Sequence, residues 1–274
     1  ALGTVACNVA DKFKNYKEYE VYQIDHRPSR RKNYLKINKY SNPEDYEQNP
    51  PNVKKFLKDV KGEILFIVCG ASVASAASLV ILQQIHKKCN ISILYISPES
   101  ELLSETKLLQ EKTTFGVLQN YARSGVLDRI YLVSNIELDP LVEDASILGY
   151  HDSLNEIIVS CFHMINFFNH IDSVSDTFSE PLDVSRISTF GILNFETGEE
   201  KMFFPLDRAR ETRYYYGIPK DKLANEKGLH RKILGQVKEK TSDDKRVSYG
   251  IYSTNYEHEC AYILSHSSVV QEKQ

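Results

Sequence analysis

The chain has 274 residues, which is enough for one large domain or two of ordinary size. Hydrophobic residues make up 42% and charged residues 26%, as in ordinary soluble globular proteins, and the formal net charge of -3 does not favour a nucleic acid partner. No apolar run reaches the length of a membrane span and no signal peptide is visible, so we expect a cytoplasmic protein without a membrane span.

The cysteines and histidines show no pattern that points to a metal. The five cysteines are widely spaced and include no CxxC pair, and three of them lie in apolar or small-residue settings. We therefore expect reduced thiols within the core. The eight histidines form no HxxxH pair, and no residue is predicted to bind a metal.

The chain opens on ALGTVACN, which is typical of the end of a strand-to-helix turn, with Asn8 leading into a helix through Phe13. The stretch Val21 to Asp25 alternates and ends on an acid, as a second parallel strand would. Asp25 then either faces a ligand or serves as a turn-forming, solvated carboxylate. From Arg27 to Lys61 we expect an irregular connection with a short helix near Val53 to Val60. Its early arginines and lysines fit a solvated loop or a contact with phosphate or a partner.

The stretch from Gly62 to Lys88 is the most informative in the sequence. Ile64 to Val68 is apolar and partly β-branched, which predicts a buried strand. Seven small, uncharged residues follow from Cys69 to Ser75, and a helix is predicted from Ala76 onward. A strand, a small-residue loop and a helix direct backbone N–H groups and a helix dipole at an anion. A tight turn packed inside an α/β core is the alternative.

The next elements continue the alternation of strands and helices. Strands are predicted at Ile91 to Ile96 and Asp128 to Val133, and helices at Ser104 to Arg123 and Gly149 to Asn169. The last helix is apolar over most of its circumference, so we expect it to be buried. This order predicts a parallel sheet, whose ligands bind at the carboxyl ends of the strands. Asp25, the small-residue loop, Glu99 and Asn135 all fall at such ends.

After Phe178 the pattern changes to that of a second α/β unit with mixed strand pairing. The stretches Thr189 to Phe195 and Lys201 to Leu206 flank ETGEE and predict a hairpin. Further along, the sequence predicts a strand at Arg213 to Ile218, a charged helix at Asp221 to Lys240, and strands at Arg246 to Tyr252 and Ala261 to Ser265. We divide the chain into residues 1–150, a connecting helix and loop at 151–185, and a second domain at 186–274.

Several of these stretches together resemble the FtsZ/tubulin superfamily along most of the chain. ALGTVACN is similar to that family's first phosphate loop, GxGGxGxN, and retains Gly3 and Asn8. CGASVASAAS, from Cys69, stands where the family has GGGTG[ST]G, and SETK, from Ser104, is similar to the FEGK stretch on the ribose and phosphate side.

Two further matches concern the base and the catalytic loop. Asn135 and Asn155 match the asparagines that read guanine in the family. FSEPLDV, from Phe178 to Val184, is similar to the NxDxxD loop, which completes the active site of the neighbouring subunit. In that alignment Glu180 and Asp183 take the two acidic positions.

The resemblance implies a Rossmann-like parallel-sheet GTPase domain joined by a long buried central helix to a smaller α/β domain. It implies GTP or GDP with Mg²⁺ as ligands, a head-to-tail homopolymer, and catalysis by Glu180 and Asp183 across the contact between subunits. The residues predicted to bind the nucleotide, with Asp25 added from its place at a strand end, are Gly3, Asn8, Asp25, Gly70, Ala71, Ser72, Val73, Ala74, Glu105, Asn135 and Asn155.

The sequence also departs from the family pattern. Gly70 is the one glycine retained in the second loop, and Val73 stands at a glycine position, where a β-branched side chain crowds a phosphate. The family's arginine after FEGK falls on Leu109, and the asparagine that opens NxDxxD falls on Phe178. Two alternatives therefore remain: a pseudo-GTPase with a structural or adaptor role, and a Rossmann-type dinucleotide enzyme suggested by the first turn and Asp25.

Overall fold

The computed structural model describes residues 1–272, apart from the side chain of Leu102. The chain forms two compact units. Unit 1 contains Ala1–Val159 and the last residues from Val270, and unit 2 contains Ser160–Val269. The boundary falls inside the long helix that the sequence predicts, whereas the sequence-based division separates the chain at residues 150 and 185. The α/β fold class is confirmed.

Unit 1 alternates strands and helices. Its elements, in chain order, are α1 (Thr4–Phe13), β1 (Gln23–Asp25), β2 (Tyr34–Lys36), α2 (Pro43–Gln48), β3 (Gly62–Cys69), a 3-10 turn (Val73–Ala77), α3 (Ser78–Ile85), β4 (Cys89–Ser97), a 3-10 turn (Ser100–Leu102), α4 (Glu105–Arg123), β5 (Arg129–Ser134), α5 (Asn135–Leu138), a 3-10 turn (Asp139–Leu141) and the first part of α6 (Tyr150–Phe168).

The strands of unit 1 pair in parallel, as predicted. β3 pairs with β4 and β4 with β5, and β1 pairs with β2. Leu2 forms single parallel bridges to Ile24 and to Val68, so it occupies one strand position between β1 and β3. Leu2 N donates to Ile67 O at 3.0 Å, and Gly3 N donates to Ile24 O at 2.9 Å. The first turn is therefore fixed at the carboxyl edge of the sheet.

In unit 1, one predicted helix start and one predicted helix are wrong, and one strand was missed. α1 begins at Thr4, so Asn8 lies within the helix and not at its start. The predicted helix near Val53 to Val60 is a series of turns, and the helix of this region is α2, whose first residue is Pro43 as is common at that position. The strand β2 was not predicted. Val53 is buried, Leu57 and Val60 are half-buried, and Leu57 N donates to Val53 O at 2.8 Å, so the segment keeps one helix-type hydrogen bond without forming a helix.

Unit 2 contains the end of α6 and most of the antiparallel pairing. Its further elements are β6 (Ser175–Asp176), β7 (Ile187–Leu193), β8 (Glu200–Met202), β9 (Glu211–Pro219), α7 (Lys220–Asn225), α8 (Leu229–Glu239), β10 (Arg246–Thr254) and β11 (Cys260–Ser267). The strand order is β7-β11-β9-β10-β6, with β8 paired to β7. The β7–β8 hairpin and the mixed pairing are both confirmed, since β9 and β10 run parallel whereas the pairs β7–β8, β7–β11, β9–β11 and β6–β10 are antiparallel.

Side chains alternate between the two faces of the sheet in unit 2, and both faces are covered by helix residues. On one face Leu229, Ile233 and Val237 of α8 pack on a cluster that includes Tyr214 and Tyr216. On the other face, Phe168 at the end of α6 stacks on Tyr252, with ring centroids 4.5 Å apart, and on Tyr215, with centroids 6.4 Å apart.

The single helix predicted from Asp221 to Lys240 is two helices, α7 and α8. The break runs from Glu226, which is extended after the end of α7, to Gly228, whose φ of +88° is a left-handed conformation directly before α8. Among residues 1–272, no helix is long and apolar enough to cross a membrane.

Candidate functional site

Two of the predicted loops meet at the carboxyl edge of the sheet in unit 1. Gly3 precedes α1 with a φ of +85°, a conformation that favours glycine. A Cβ built at Gly3 would lie 2.7 Å from Ser72 Oγ and 3.7 Å from the Cβ of Ala74. The first turn is therefore in direct contact with the small-residue loop that follows β3. Ala71, Ser72 and Val73 of that loop are half-buried, whereas Ala74 is buried.

Gly70 faces the interior and not the loop surface. A Cβ at this position would overlap the hydroxyl group of Tyr95 and would lie 2.8 Å from Cγ of Glu111. Both side chains are buried, and Tyr95 donates its hydroxyl hydrogen to Glu111 Oε1 at 2.8 Å. Burial and the neighbouring Glu111 carboxylate raise the pKa of Tyr95 well above its usual value. The absence of a side chain at Gly70 thus makes room for the protein's own buried hydrogen bond.

A helix side chain holds the small-residue loop closed. Gln110 in α4 donates from Nε2 to Ser72 O at 2.9 Å, to Val73 O at 3.2 Å and to Ser75 Oγ at 3.0 Å. These contacts engage carbonyl oxygens of the loop. They do not involve the N–H groups at the start of the 3-10 turn. Because the first N–H groups of any helix lack partners within the helix, the start of this turn can accept an anion.

Asp25 serves the first turn, and its side chain is fully buried. Arg27 Nε donates to Asp25 Oδ2 at 2.6 Å, and the hydroxyl group of Thr4 donates to the same carboxylate at 3.1 and 3.2 Å. The backbone N–H of His26 donates to Oδ1 at 2.8 Å. The negative charge of Asp25 is therefore compensated locally, at the first residue of α1.

Asn8 lies on the exposed side of α1 and borders a cavity of about 340 Å³. Its Oδ1 accepts a hydrogen bond from Arg27 at 3.3 Å. Further along the cavity, Arg31 donates to both carboxylate oxygens of Asp11 at 2.6 Å. Partial burial favours the protonated form of Asp11, but the hydrogen bonds from Arg31 and Lys14 lower its pKa overall. Arg31 is thus engaged with a carboxylate of α1, and Arg27 with that of Asp25 at the end of β1.

The remaining predicted ligands of unit 1 lie on three further elements. Glu105 is the exposed first residue of α4, and Asn135 is the half-buried first residue of α5, directly after β5. Asn155 is half-buried in α6, on the stretch where Asp152 and Glu156 both pair with Lys12 of α1, at 2.7 and 3.2 Å. Asn155 therefore lies on a turn of α6 that is adjacent to α1.

The start of α6 is linked to the turn after Asn135. Tyr150 donates its hydroxyl hydrogen to Asp139 Oδ1 at 2.6 Å, and this bond with partial burial raises the pKa of Tyr150 to about 12. Within the described part of the chain, no group of three or more His, Cys, Asp or Glu side chains could hold a metal ion.

The two acidic residues predicted for catalysis lie in unit 2, in the loop between β6 and β7. Glu180 and Asp183 are exposed, and no hydrogen bond or ion pair involves either carboxylate among residues 1–272. Arg186 Nε donates to Asp183 O at 2.8 Å, and Ser185 N donates to Leu182 O at 2.8 Å, so the end of the loop forms a tight turn.

No family model matches the sequence, and no curated protein matches it. Solved structures do. A protofilament of TubZ from Bacillus thuringiensis serovar israelensis in its GTPγS form superposes with a TM-score of 0.69 at 14% identity, over 96% of this chain and 84% of that chain. CetZ1 from Haloferax volcanii, a GDP-bound monomer, superposes with a TM-score of 0.70 at 16% identity, over 98% of this chain and 93% of that chain. An empty FtsZ dimer from M. jannaschii superposes with a TM-score of 0.67 at 10% identity, over 97% of this chain and 85% of that chain.

The chain has the tubulin/FtsZ fold. The resemblance predicted from the sequence is therefore confirmed at the level of the fold, across nearly the whole chain. At 10% to 16% identity the superpositions do not carry ligand contacts or activity from those proteins to this one.

Several residues that shape this site within the tubulin/FtsZ fold were missed by sequence analysis. Gln110 and Glu111 are polar residues that face the interior from α4, whereas the neighbouring apolar Leu109 is 68% exposed. Only the register of α4 against β4 and the 3-10 turn reveals that these polar side chains point inward. Thr4 was also missed, although a threonine directly after a turn glycine is a common helix-start signal.

Proposed function

We propose that unit 1 binds a guanine nucleotide at its two joined loops and that the protein assembles head to tail with copies of itself. The phosphates would lie against Gly3, Thr4 and the segment Ala71 to Ala74, and Asn135 and Asn155 would contact the base. The observation that carries the proposal is the contact between Gly3 and Ser72, which unites the first turn and the small-residue loop at the carboxyl edge of a parallel sheet.

The charges around these loops fit a phosphate ligand. The small-residue loop carries no charge, and the buried carboxylate of Asp25 is paired with Arg27, so it does not oppose an anion. When bound, Mg²⁺ would offset phosphate charge, and such ions rest mainly on phosphate oxygens and water with one or two carboxylates. Glu105, exposed at the start of α4, would lie on the ribose side.

Hydrolysis would be completed between two copies. Glu180 and Asp183 are exposed and without partners among the described residues, so their carboxylates are available to orient a water molecule on another copy's nucleotide. A contact between two different surfaces of the same chain propagates into a filament. TubZ, whose structures include filaments, provides the precedent for this fold.

The binding step can be tested by thermal unfolding with GTP, GDP, ATP or NAD, each with Mg²⁺. A ligand present at about one hundred times its Kd stabilises a protein by about 2.7 kcal/mol, which raises the Tm of a chain of this size by about 5 °C or more. We expect this rise with GTP and GDP only. A rise with NAD alone would instead support the dinucleotide-enzyme alternative.

Two charge variants sharpen this test. Ala71→Glu places a carboxylate on the half-buried loop, where it would repel phosphate, and should abolish the shift. Asn90→Glu adds the same charge at an exposed position near the start of β4, at the opposite edge of the sheet, and should preserve the shift. A wild-type Tm that is unchanged by every nucleotide would contradict the proposed binding.

Assembly and hydrolysis need a separate experiment. With GTP and Mg²⁺ at high protein concentration, we expect polymer in the pellet after sedimentation and release of phosphate. Glu180→Gln and Asp183→Asn keep the size of each side chain but remove its charge, so they should reduce phosphate release about tenfold or more and leave the GTP-induced Tm shift intact. Protein that remains monomeric in GTP would disprove the filament proposal.

A pseudo-GTPase with a structural or adaptor role is the second candidate. It is favoured by Val73 at the start of the 3-10 turn and by Gly70, whose open side is filled by Tyr95 and Glu111. Assembly without any nucleotide requirement, together with an unchanged Tm, would select this candidate over the first.

A further inference from the structure

The loop from Phe178 to Ser185, here called the acidic loop, is held through its backbone and not through its carboxylates. It joins β6 to β7 and carries Glu180 and Asp183. β6 is short, but Asp176 and Ser175 pair with Gly250 and Ile251 of β10, and Thr177 N donates to Tyr249 O at 2.9 Å. The loop therefore leaves the sheet from a fixed point.

Phe178 anchors the first residue of the acidic loop. Its ring lies 5.1 Å from that of Tyr215, and a Cβ at Gly250 would come within 2.5 Å of it. The guanidinium carbon of Arg213 lies 5.5 Å from the centre of the Phe178 ring, a cation–π contact. The phenylalanine that departs from the family motif thus fills a specific site on the sheet.

Two arginines bind the next residues. Arg213 donates to the backbone oxygen of Ser179, and Arg246 donates to the hydroxyl group of the same serine. Arg246 also donates to Glu180 O at 3.4 Å. These contacts fix the main chain on both sides of Glu180 while leaving its carboxylate exposed.

A buried carboxylate binds the middle of the loop. Glu211, which is 5% exposed, accepts hydrogen bonds from Leu182 N at 3.1 and 3.3 Å. It stands opposite Arg246 in the register of β9 and β10, and Arg246 lies 3.6 Å from its Oε1. One ion pair on the sheet therefore holds both halves of the acidic loop, since Arg246 binds Ser179 and Glu180 and Glu211 binds Leu182.

We propose that Glu211 and Arg246 are positioning residues for the acidic loop: they fix its main chain so that Glu180 and Asp183 are presented outward in a set geometry. As regards hydrolysis, this inference rests on the proposed function. An unanchored loop would have to be ordered each time two copies meet, at an entropic cost for every residue. A loop that is ordered beforehand presents its carboxylates without that cost.

The experiment measures loop order and turnover separately. Amide hydrogen exchange at Leu182 reports on the anchor in the monomer, with no nucleotide present. Glu211→Ala removes the acceptor and should accelerate this exchange about tenfold or more, whereas Glu211→Gln keeps an acceptor and should stay near wild type. Arg246→Ala is the milder variant, because Arg246 is about half exposed and is the ion-pair partner of Glu211 and not the acceptor itself, so it should accelerate exchange at Leu182 less than Glu211→Ala does.

Arg231→Ala is the matched control. It removes an exposed arginine from α8 of the same unit and should change neither exchange nor turnover. For the assembled protein with GTP, we expect Arg246→Ala and Glu211→Ala to lower kcat about tenfold and to leave the GTP-induced Tm shift unchanged. Arg246→Lys keeps the charge but not the planar fork, so it should give an intermediate kcat.

Each outcome decides the inference. Unchanged exchange at Leu182 in either Glu211→Ala or Arg246→Ala would overturn the anchor. Accelerated exchange with unchanged kcat would overturn the role in hydrolysis. If the wild type shows no turnover at all, the proposed function fails, and the exchange measurements still decide whether Glu211 and Arg246 hold the loop.

Discussion

At the scale of single residues, the same residue type is required for different physical reasons in different surroundings. Gly3 is needed for its backbone conformation and for its contact with Ser72, whereas Gly70 is needed because Tyr95 and Glu111 fill the space where a side chain would lie. Asp25, predicted to face a ligand, is buried against Thr4 and Arg27. The sequence draws attention to these residues, but their partners come from distant strands and helices and are visible only in the structure.

Gly70→Ala should destabilise unit 1. The added methyl group would overlap the Tyr95 hydroxyl group and crowd Glu111, and such overpacking typically costs about 1–3 kcal/mol. The free energy of unfolding measured in urea checks this. Gly116→Ala is the control, since a Cβ there meets nothing within 4 Å in α4, and it should be neutral or stabilising by up to about 1 kcal/mol. Equal effects of the two substitutions would contradict our account of Gly70.

A partial rescue would identify the clash. Adding Tyr95→Phe to Gly70→Ala removes the overlapping hydroxyl group, so the double variant should lose less stability than the sum of the two single variants. Additive losses would mean that the tyrosine hydroxyl is not the obstacle.

At the scale of elements, strands were easier to predict than helices. β3, β4 and β5 follow apolar runs bounded by polar residues, and their positions agree with the sequence-based expectation within two residues. The helical region from Asp221 to Lys240 was harder, because its apolar periodicity continues across Gly228. Whether a glycine interrupts a helix or lies within it depends on φ, which sequence alone does not provide.

Two glycines near this break should respond to alanine in opposite ways. Gly228 has a φ of +88°, so Gly228→Ala should cost about 1–2 kcal/mol although no atom lies within 4 Å of its Cβ position. Gly235 lies inside α8, also with nothing within 4 Å, so Gly235→Ala should stabilise by about 0.5–1 kcal/mol. Urea unfolding of both variants measures whether each substitution raises or lowers the free energy of unfolding. The same sign for both would disprove the assignment of the break to Gly228.

At the scale of the whole molecule, the order of elements was the strongest signal, and it predicted the fold correctly. The loops proposed to bind a ligand and to complete hydrolysis were weaker guides, since they retain few residues of the motifs that they resemble and their geometry depends on side chains such as Gln110 and Arg246 that belong to other elements. A helix-face polar residue is ordinary in sequence, and only its partner in three dimensions gives it a role.

The buried thiols and tyrosines should make the protein sensitive to alkaline pH. Burial raises the pKa of Cys260 to about 11 from 9.0, and that of Cys161 well above 9.0. A hydrogen bond to Asp139 raises the pKa of Tyr150 to about 12 from 10.0. These groups ionise at lower pH in the unfolded chain, so their stabilising contribution is complete below pH 9 and is lost as pH rises towards about 12.

Urea unfolding at intervals from about pH 7 to about pH 11 tests this expectation. The unfolding midpoint should change little up to about pH 9 and then fall. Cys260→Ala removes one of the ionising groups, so the decline from pH 9 to 11 should be shallower in this variant than in wild type. An unfolding midpoint that increases above pH 9 would contradict the expected loss of stability at alkaline pH.

The placement of Gly70 also bears on how such chains diverge. Because its bare side faces the tyrosine and glutamate beneath the loop, selection for folding alone would preserve this glycine in a lineage that had stopped binding any ligand. Ala71, Ser72 and Val73 are half-buried, so selection for folding would constrain their side chains less and they would change first. Among related chains, loss of ligand binding would therefore appear as substitutions at the three positions after the glycine, whereas the glycine itself would be retained.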